Sequence, residues 1–243
     1  MNVFVYDDFL KKHTKTVNNI EILLHKLNLN GKIVYLESIR NINDLIKDEV
    51  NNGAKTIVAV GNNQTINKVL NGVMDGSNNN VALGIIPVGD NNSIASACGI
   101  KNEREACDIL LARRIEKIDI AYANKLYFIA NARIKSRGTT LKIQDFSIDQ
   151  TENGEINLIN IPTKDCSAKN ILANPQDGQL NLFINNGNKK YSLLSIKELE
   201  LENDRAEKLL IDESIKLDTP VKIGMSDRQI NLIVGKNREF NIN

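Results

Sequence analysis

Two stretches of the chain carry residue types and spacings suited to anion chemistry. Thr56 to Asn71, TIVAVGNNQTINKVLN, passes from an apolar, β-branched run through Gly61 into a short polar loop, then into a helical pattern that begins near Thr65. A buried strand that turns directly into a helix aims the unsatisfied N–H groups and positive dipole end of that helix at one point, the geometry of a phosphate cradle. Leu83 to Ala95, LGIIPVGDNNSIA, repeats the arrangement with a Pro87-x-Gly89 turn and a short helix. Two such turns at the carboxyl ends of parallel strands form a ligand crevice. The same pattern also fits plain strand-to-helix connections.

The elements that position these turns follow from periodicity. Val3 to Asp7 is a short apolar run, and Val17, Ile20, Leu23, Leu24 and Leu27 recur at helical spacing up to an Asn30-Gly31 turn signal. Lys32 to Leu36 reads as a strand, about 42 to 52 as a helix stopped by Gly53, and Thr56 to Val60 and Leu83 to Ile86 as strands buried on both faces. Asn92 to Cys98 is a short helix, and Asn102 with Glu105 forms a capping box for a helix to about Arg113. Strand alternating with helix predicts a parallel sheet covered by helices. From Ile115 onward the pattern becomes short strand-like runs separated by turn signals such as Asn153-Gly154, Asp177-Gly178 and Asn186-Gly187. The expected fold is therefore an α/β domain with a parallel sheet over residues 1–114, followed by an all-β, sandwich-like domain over 115–243.

Composition narrows the function. The 243 residues include 31 basic and 30 acidic side chains, a net charge of +1, and 42% are hydrophobic. Such a chain folds as one large or two modest globular cores. Its charge balance carries no electrostatic footprint for nucleic acid. No stretch approaches the roughly 18 consecutive apolar residues of a membrane-spanning helix. The opening MNVFVYDDFLKKH does not read as a signal peptide, so a cytoplasmic protein is expected. Lys11, Lys12 and Lys15 offer peripheral membrane contact, or are simply solvated. Cys98, Cys107 and Cys166 lack CxxC spacing and read as buried, reduced thiols. His13 and His25, both near the start, leave no histidine-based triad.

The first loop, Gly61-Asn62-Asn63-Gln64-Thr65-Ile66-Asn67-Lys68-Val69-Leu70-Asn71-Gly72, resembles the GGDGTxNEVxNG loop of the diacylglycerol-kinase-like lipid kinases, relatives of the NAD kinases. Gly61, Thr65, Asn67, Val69, Asn71 and Gly72 match in register. The second loop resembles that family's GIIPxGTxNDFA through Gly84, Ile85, Ile86, Pro87, Gly89, Asn92 and Ala95. The resemblance continues more sparsely through IDIAYAN, YFIANA, Asp177-Gly178 and Thr219-Pro220. It implies transfer of a phosphoryl group from ATP to a lipid hydroxyl. ATP would lie across Gly61, Asn62, Asn63, Gln64, Thr65 and Asn67 and across Gly89, Asp90 and Asn92, with Mg²⁺ bridging its phosphates. It also implies a metal-holding role for Asp177, which otherwise reads as an ordinary turn residue. The family's Asp-Gly-Glu corresponds to Asp212-Glu213-Ser214, so Asp212 and Glu213 are the candidate catalytic residues. The partners implied are nucleotide and membrane lipid, with a homodimer compatible and nucleic acid excluded.

Departures from the pattern concentrate at the same positions. Two family glycines are Asn62, which tolerates a left-handed turn, and Gln64, whose side chain would project toward the phosphate. The central Asp is Asn63, which cannot balance Mg²⁺, and a family Glu is Lys68. Lys68 is either a substitute phosphate-binding cation or a solvated helix residue. A family hydroxyl is replaced by Asp90, whose charge repels phosphate, and the base position holds Ser214. If that segment is a strand, Glu213 faces away; if it is a loop, Glu213 still reaches. The alternative reading is therefore a catalytically impaired pseudokinase that binds a nucleotide, a lipid or a protein partner.

Overall fold

The computed structural model describes residues 1–36, 41–76, 80–164, 173–185 and 191–240. The expected Asn186-Gly187 turn and Cys166 lie outside these residues. The chain divides into two compact units, Met1–Ile118 with Gln229–Glu239, and Asp119–Arg228 with Phe240–Asn243.

In the first unit, β1 (Asn2–Tyr6), a 3-10 turn (Asp8–Lys12), α1 (Thr14–Lys26), β2 (Gly31–Tyr35), α2 (Ile42–Asn51) and β3 (Thr56–Gly61) follow one another. Then come α3 (Asn63–Asp75), β4 (Ala82–Pro87), α4 (Ser93–Ala97) and α5 (Glu103–Ala112). The strands are parallel in the order β2-β1-β3-β4. β3 and β4 are buried along their whole length, as the continuous β-branched and aliphatic runs require of central strands. Helical spacing turns Val17, Ile20 and Leu24 of α1 and Leu45 and Ile46 of α2 into the core. The expected cap forms in its first half: Asn102 Oδ1 accepts the Glu105 N–H (2.9 Å), while Glu105 Oε2 accepts the N–H of Lys101 (3.2 Å), one residue before the cap, and not that of Asn102. Two turn signals are displaced. α1 ends at the left-handed Asn28 (φ 53°), and Gly31 already belongs to β2. α3 starts at Asn63, two residues before Thr65, because Asn62 caps it.

β5 (Ile115–Ala123) leads into the second unit, which holds β6 (Leu126–Phe128), β7 (Asn131–Lys135), β8 (Thr139–Ile143), β9 (Phe146–Gln150) and β10 (Glu155–Ile159). It continues with β11 (Leu180–Asn185), β12 (Tyr191–Ile196), β13 (Glu198–Asn203), β14 (Leu209–Ile211), β15 (Ile215–Leu217) and β16 (Val221–Ile233). One antiparallel sheet has the order β12-β11-β10-β7-β14-β15; β9, β8, β13 and the first part of β16 pair in another. Alternate residues of both, such as Ile156, Leu158 and Leu182 from one and Leu141, Leu199 and Ile223 from the other, share a single buried cluster, the core of a sandwich.

A single boundary near residue 115 does not capture the return of the chain. Residues 229–239 complete the first unit: Asn231 and Leu232 pair in parallel with Ala82 and Leu83, and the Gly235 N–H bonds to Cys98 O (2.9 Å). The partner that covers the free edge of β4 comes from far along the chain, which local periodicity does not encode.

Candidate functional site

β3 and β4 are neighbours in register, with Gly61 opposite Pro87, so their carboxyl-terminal turns lie side by side. The Val88 N–H donates to Gly61 O (3.0 Å) and the Asn63 N–H to Asn91 O (2.9 Å). Asn63 is fully buried and clasps the two turns together. Its Nδ2 donates to Asn91 Oδ1 (3.1 Å) and Ser93 Oγ (2.9 Å), and its Oδ1 accepts the Ile94 N–H (3.2 Å). Gly61 has φ 155°, and a Cβ there would stand 2.3 Å from Thr65 Oγ1, so this position demands glycine.

Asn62 lies at φ −103°, ψ −171°, extended backbone and not the left-handed turn its residue type suggested. Its Oδ1 accepts the N–H groups of Gln64 (3.1 Å) and Thr65 (3.4 Å). With the Asn63 N–H on Asn91 O, the first three helical residues of α3 all donate to oxygens of the chain itself. An N-cap amide thus satisfies the donors that a bound anion would otherwise take. Gln64 is exposed, and Asn67 is buried within α3. On the second turn Gly89 (φ 77°) and Asn91 (φ 63°) are left-handed, Asp90 is exposed, and Asn92 Nδ2 donates to Gly89 O (2.6 Å).

Asp7 is a residue that the sequence reading passed over. It follows β1, is 7% exposed, and its Oδ2 accepts from Thr65 Oγ1 (3.0 Å) and Lys68 Nζ (3.0 Å). Lys68 stays exposed, as a solvated helix residue would, and is ion-paired with Asp7. The available signal was a carboxylate closing the VFVY run, at the same strand end as Gly61 and Pro87. Phe9 follows and covers the second turn; a Cβ on Gly89 would lie 3.2 Å from its Cε2.

In the second unit, Asp212 and Glu213 occupy the turn between β14 and β15. Both have positive φ (47° and 55°), and the Ser214 N–H closes the turn on Ile211 O (2.9 Å). Two successive positive φ values are what a type I′ turn requires. The segment is thus a turn, which settles the face of Glu213 differently from a strand. Asp212 is 1% exposed; Oδ1 accepts the N–H groups of Ala130 and Asn131 (2.9 Å each) and Oδ2 that of Ile129 (3.0 Å). It fastens the β6–β7 connection and faces no solvent. Glu213 Oε2 pairs with Arg133 Nη2 (2.6 Å), whose Nη1 holds Glu155 (3.0 Å). Burial works against the Arg133 charge, but the hydrogen bonds from Glu213 and then Glu155 outweigh it and raise its pKa.

Asp177 is exposed, and its Oδ1 accepts the Gln179 N–H (2.9 Å) in a local turn. The buried carboxylate of this region is Asp119, also missed, whose Oδ2 accepts the Gly178 N–H (2.7 Å). Mg²⁺ keeps several waters and needs only one or two carboxylates from a protein. Among the described residues no three acidic, His or Cys side chains gather at one point.

The fold pairs an α/β unit with two clasped strand–turn–helix corners and a β-sandwich unit. Residues 10–123 match the diacylglycerol kinase catalytic domain. A diacylglycerol kinase of Bacillus subtilis is 41% identical over 75 residues, 30% of this chain and 24% of that protein. One of Staphylococcus saprophyticus is 25% identical over 116 residues, 47% of this chain and 38% of that one. The matched stretch thus spans about a quarter of the B. subtilis relative's length. A crystal structure of a diacylglycerol kinase from Bacillus anthracis superposes with a TM-score of 0.72 at 15% identity, covering 97% of this chain and 96% of that one. Over residues 10–123 the chain is thus similar to the diacylglycerol-kinase-like lipid kinases, and the whole chain shares the fold of one solved member.

Proposed function

We propose that this chain is a diacylglycerol-kinase-like protein in which ATP-dependent phosphoryl transfer to a lipid hydroxyl is impaired, and that it acts by binding a nucleotide, a lipid or a protein partner. One observation carries the reading: the N–H groups of the first turn of α3 are capped from within by Asn62 Oδ1 and Asn91 O. A helix N-terminus stabilises phosphate only through donors left for it. The second unit supports the same conclusion. Asp212 spends both carboxylate oxygens on backbone N–H groups, Glu213 is paired with Arg133, and the base position is Ser214. Loss of a positioned general base typically lowers a rate about 100- to 10,000-fold. No helix among the described residues is long and apolar enough to cross a membrane, so a lipid ligand would be met at a bilayer surface.

The reading of an active lipid kinase using ATP and Mg²⁺ draws support from one fact, the clasp that keeps residues 61–67 and 89–92 together. Transfer of radiolabelled phosphate from Mg-ATP to diacylglycerol separates the two. The wild-type chain is expected to give no product above background. In thermal melts it shows no stabilisation by Mg-ATP, whereas Asn62→Gly, which uncovers the turn, does. A ligand at 100 times its dissociation constant adds about 2.7 kcal/mol. Labelled phosphatidic acid from the wild-type chain would overturn the impaired reading.

A further inference from the structure

We propose that Asp7 sets the charge class of ligand that the Gly61–Lys68 turn accepts: its carboxylate holds the Thr65 hydroxyl and the Lys68 ammonium, so that polyphosphates are excluded. The inference rests on the reading above that this turn is a phosphate cradle whose backbone donors are capped from within. Asp7 acts on side-chain donors, whereas the Asn62 cap concerns backbone donors.

Thr65 and Lys68 are three residues apart on α3 and therefore share one helix face. Both reach the same atom, Asp7 Oδ2, at 3.0 Å. The Asp7 side chain is 10% exposed and that of Lys68 42%, so the lysine extends from the surface inward to a nearly buried carboxylate. A carboxylate this buried is retained only when paired and hydrogen-bonded. The hydroxyl and the ammonium are the two side-chain groups of this face that would serve an entering phosphate, and they already serve an internal anion. A phosphate brought to the same face also meets a like charge within a few ångström, and juxtaposed like charges lower affinity by more than tenfold. The exposed Asp90 on the second turn adds to the same field. As it stands, the turn suits a neutral or cationic group.

Asp7→Asn keeps the size of the side chain and an oxygen for Thr65, and it releases Lys68. Isothermal titration of the full chain with pyrophosphate, with and without Mg²⁺, is the test. Asp7→Asn is expected to bind at least about tenfold more tightly than wild type. The gain shrinks with added KCl, as an ionic contact must. It disappears in the double variant Asp7→Asn, Lys68→Met. A folded Asp7→Asn protein that binds no more tightly overturns the proposal, and so does a gain that survives Lys68→Met. If Asp7→Asn does not fold, Asp7→Ser is titrated with the same outcomes. Asn62→Gly separates this proposal from the cradle reading. A gain there with none from Asp7→Asn removes the role of Asp7 and leaves the cradle intact, while no gain from either, alone or combined, removes both.

Discussion

Replacing Glu213 by glycine and, separately, by alanine isolates the backbone of the turn between β14 and β15. Both variants remove the Arg133 ion pair, so that loss cancels in the comparison. What differs is the Cβ at φ 55°. A side chain in the left-handed region costs about 1–2 kcal/mol relative to glycine. Against this, alanine restricts the unfolded chain and normally gains about 0.4–1 kcal/mol over glycine. The difference leaves Glu213→Gly more stable than Glu213→Ala by about 1 kcal/mol, a reversal of the usual order. For a chain of this size that corresponds to a Tm about 2–4 °C higher. Thermal melts followed by circular dichroism, with urea unfolding to check that the two probes coincide, read the difference. An alanine variant as stable as the glycine variant, or more so, would refute the strained turn.

Other consequences are equally direct. Asn63→Asp replaces the amide donor to Asn91 and Ser93 with a carboxylate in a fully buried site, and a destabilisation of about 1–3 kcal/mol is expected in urea titration. A neutral effect would contradict the clasp. Asn62→Ala removes the cap of α3 and should lower stability by about 1 kcal/mol, while Asn62→Gly lowers it by only a few tenths; equal losses would speak against capping. Asp212→Asn turns an amide toward three backbone donors and should destabilise by about 3 kcal/mol or more, with a near-silent substitution counting against its structural role. Burial foremost, then Asp108 and Glu103, raises the Cys107 thiol from 9.0 to about 11. The folded chain therefore leaves this thiol unlabelled by Ellman's reagent at pH 8. The unfolded thiol ionises first, so this contribution to stability is complete below pH 9 and is lost as pH rises toward about 11. Cys107→Ala removes that part of the alkaline decline, and an unchanged decline would contradict the assignment.

Much of the fold was legible because its signals are local. TIVAV and LGII read as strands covered on both faces, and Asn102 with Glu105 marked the start of α5. The pairing of residues 61–67 with 89–92 was readable from two similar strand–turn–helix patterns on adjacent strands. Less legible was what the substituted side chains do. Asn62 looked like a replacement for a left-handed glycine, yet it stands in extended backbone as a cap, because φ at one position depends on where the helix begins. Asp7 and Asp119 escaped notice since each is a single carboxylate, one just after β1 and the other within β5, and only tertiary contacts with Thr65, Lys68 and Gly178 give them partners. Glu213 was ambiguous between strand and loop, and two positive φ values in a three-residue connection decided the matter.

The return of residues 229–239 to the first unit bears on how the polypeptide is made. On the ribosome, Leu83 emerges about 150 residues before its neighbour Leu232, which at 5–20 residues per second is roughly 7–30 s of synthesis. Throughout that interval one side of β4, an apolar and fully extended segment, has no ladder partner. An exposed edge of this kind invites pairing with other nascent chains. The edge of β4 is therefore completed only late in synthesis, and a premature stop between the second clasped turn and residue 229 leaves it open to such pairing even though every residue of both turns has been translated.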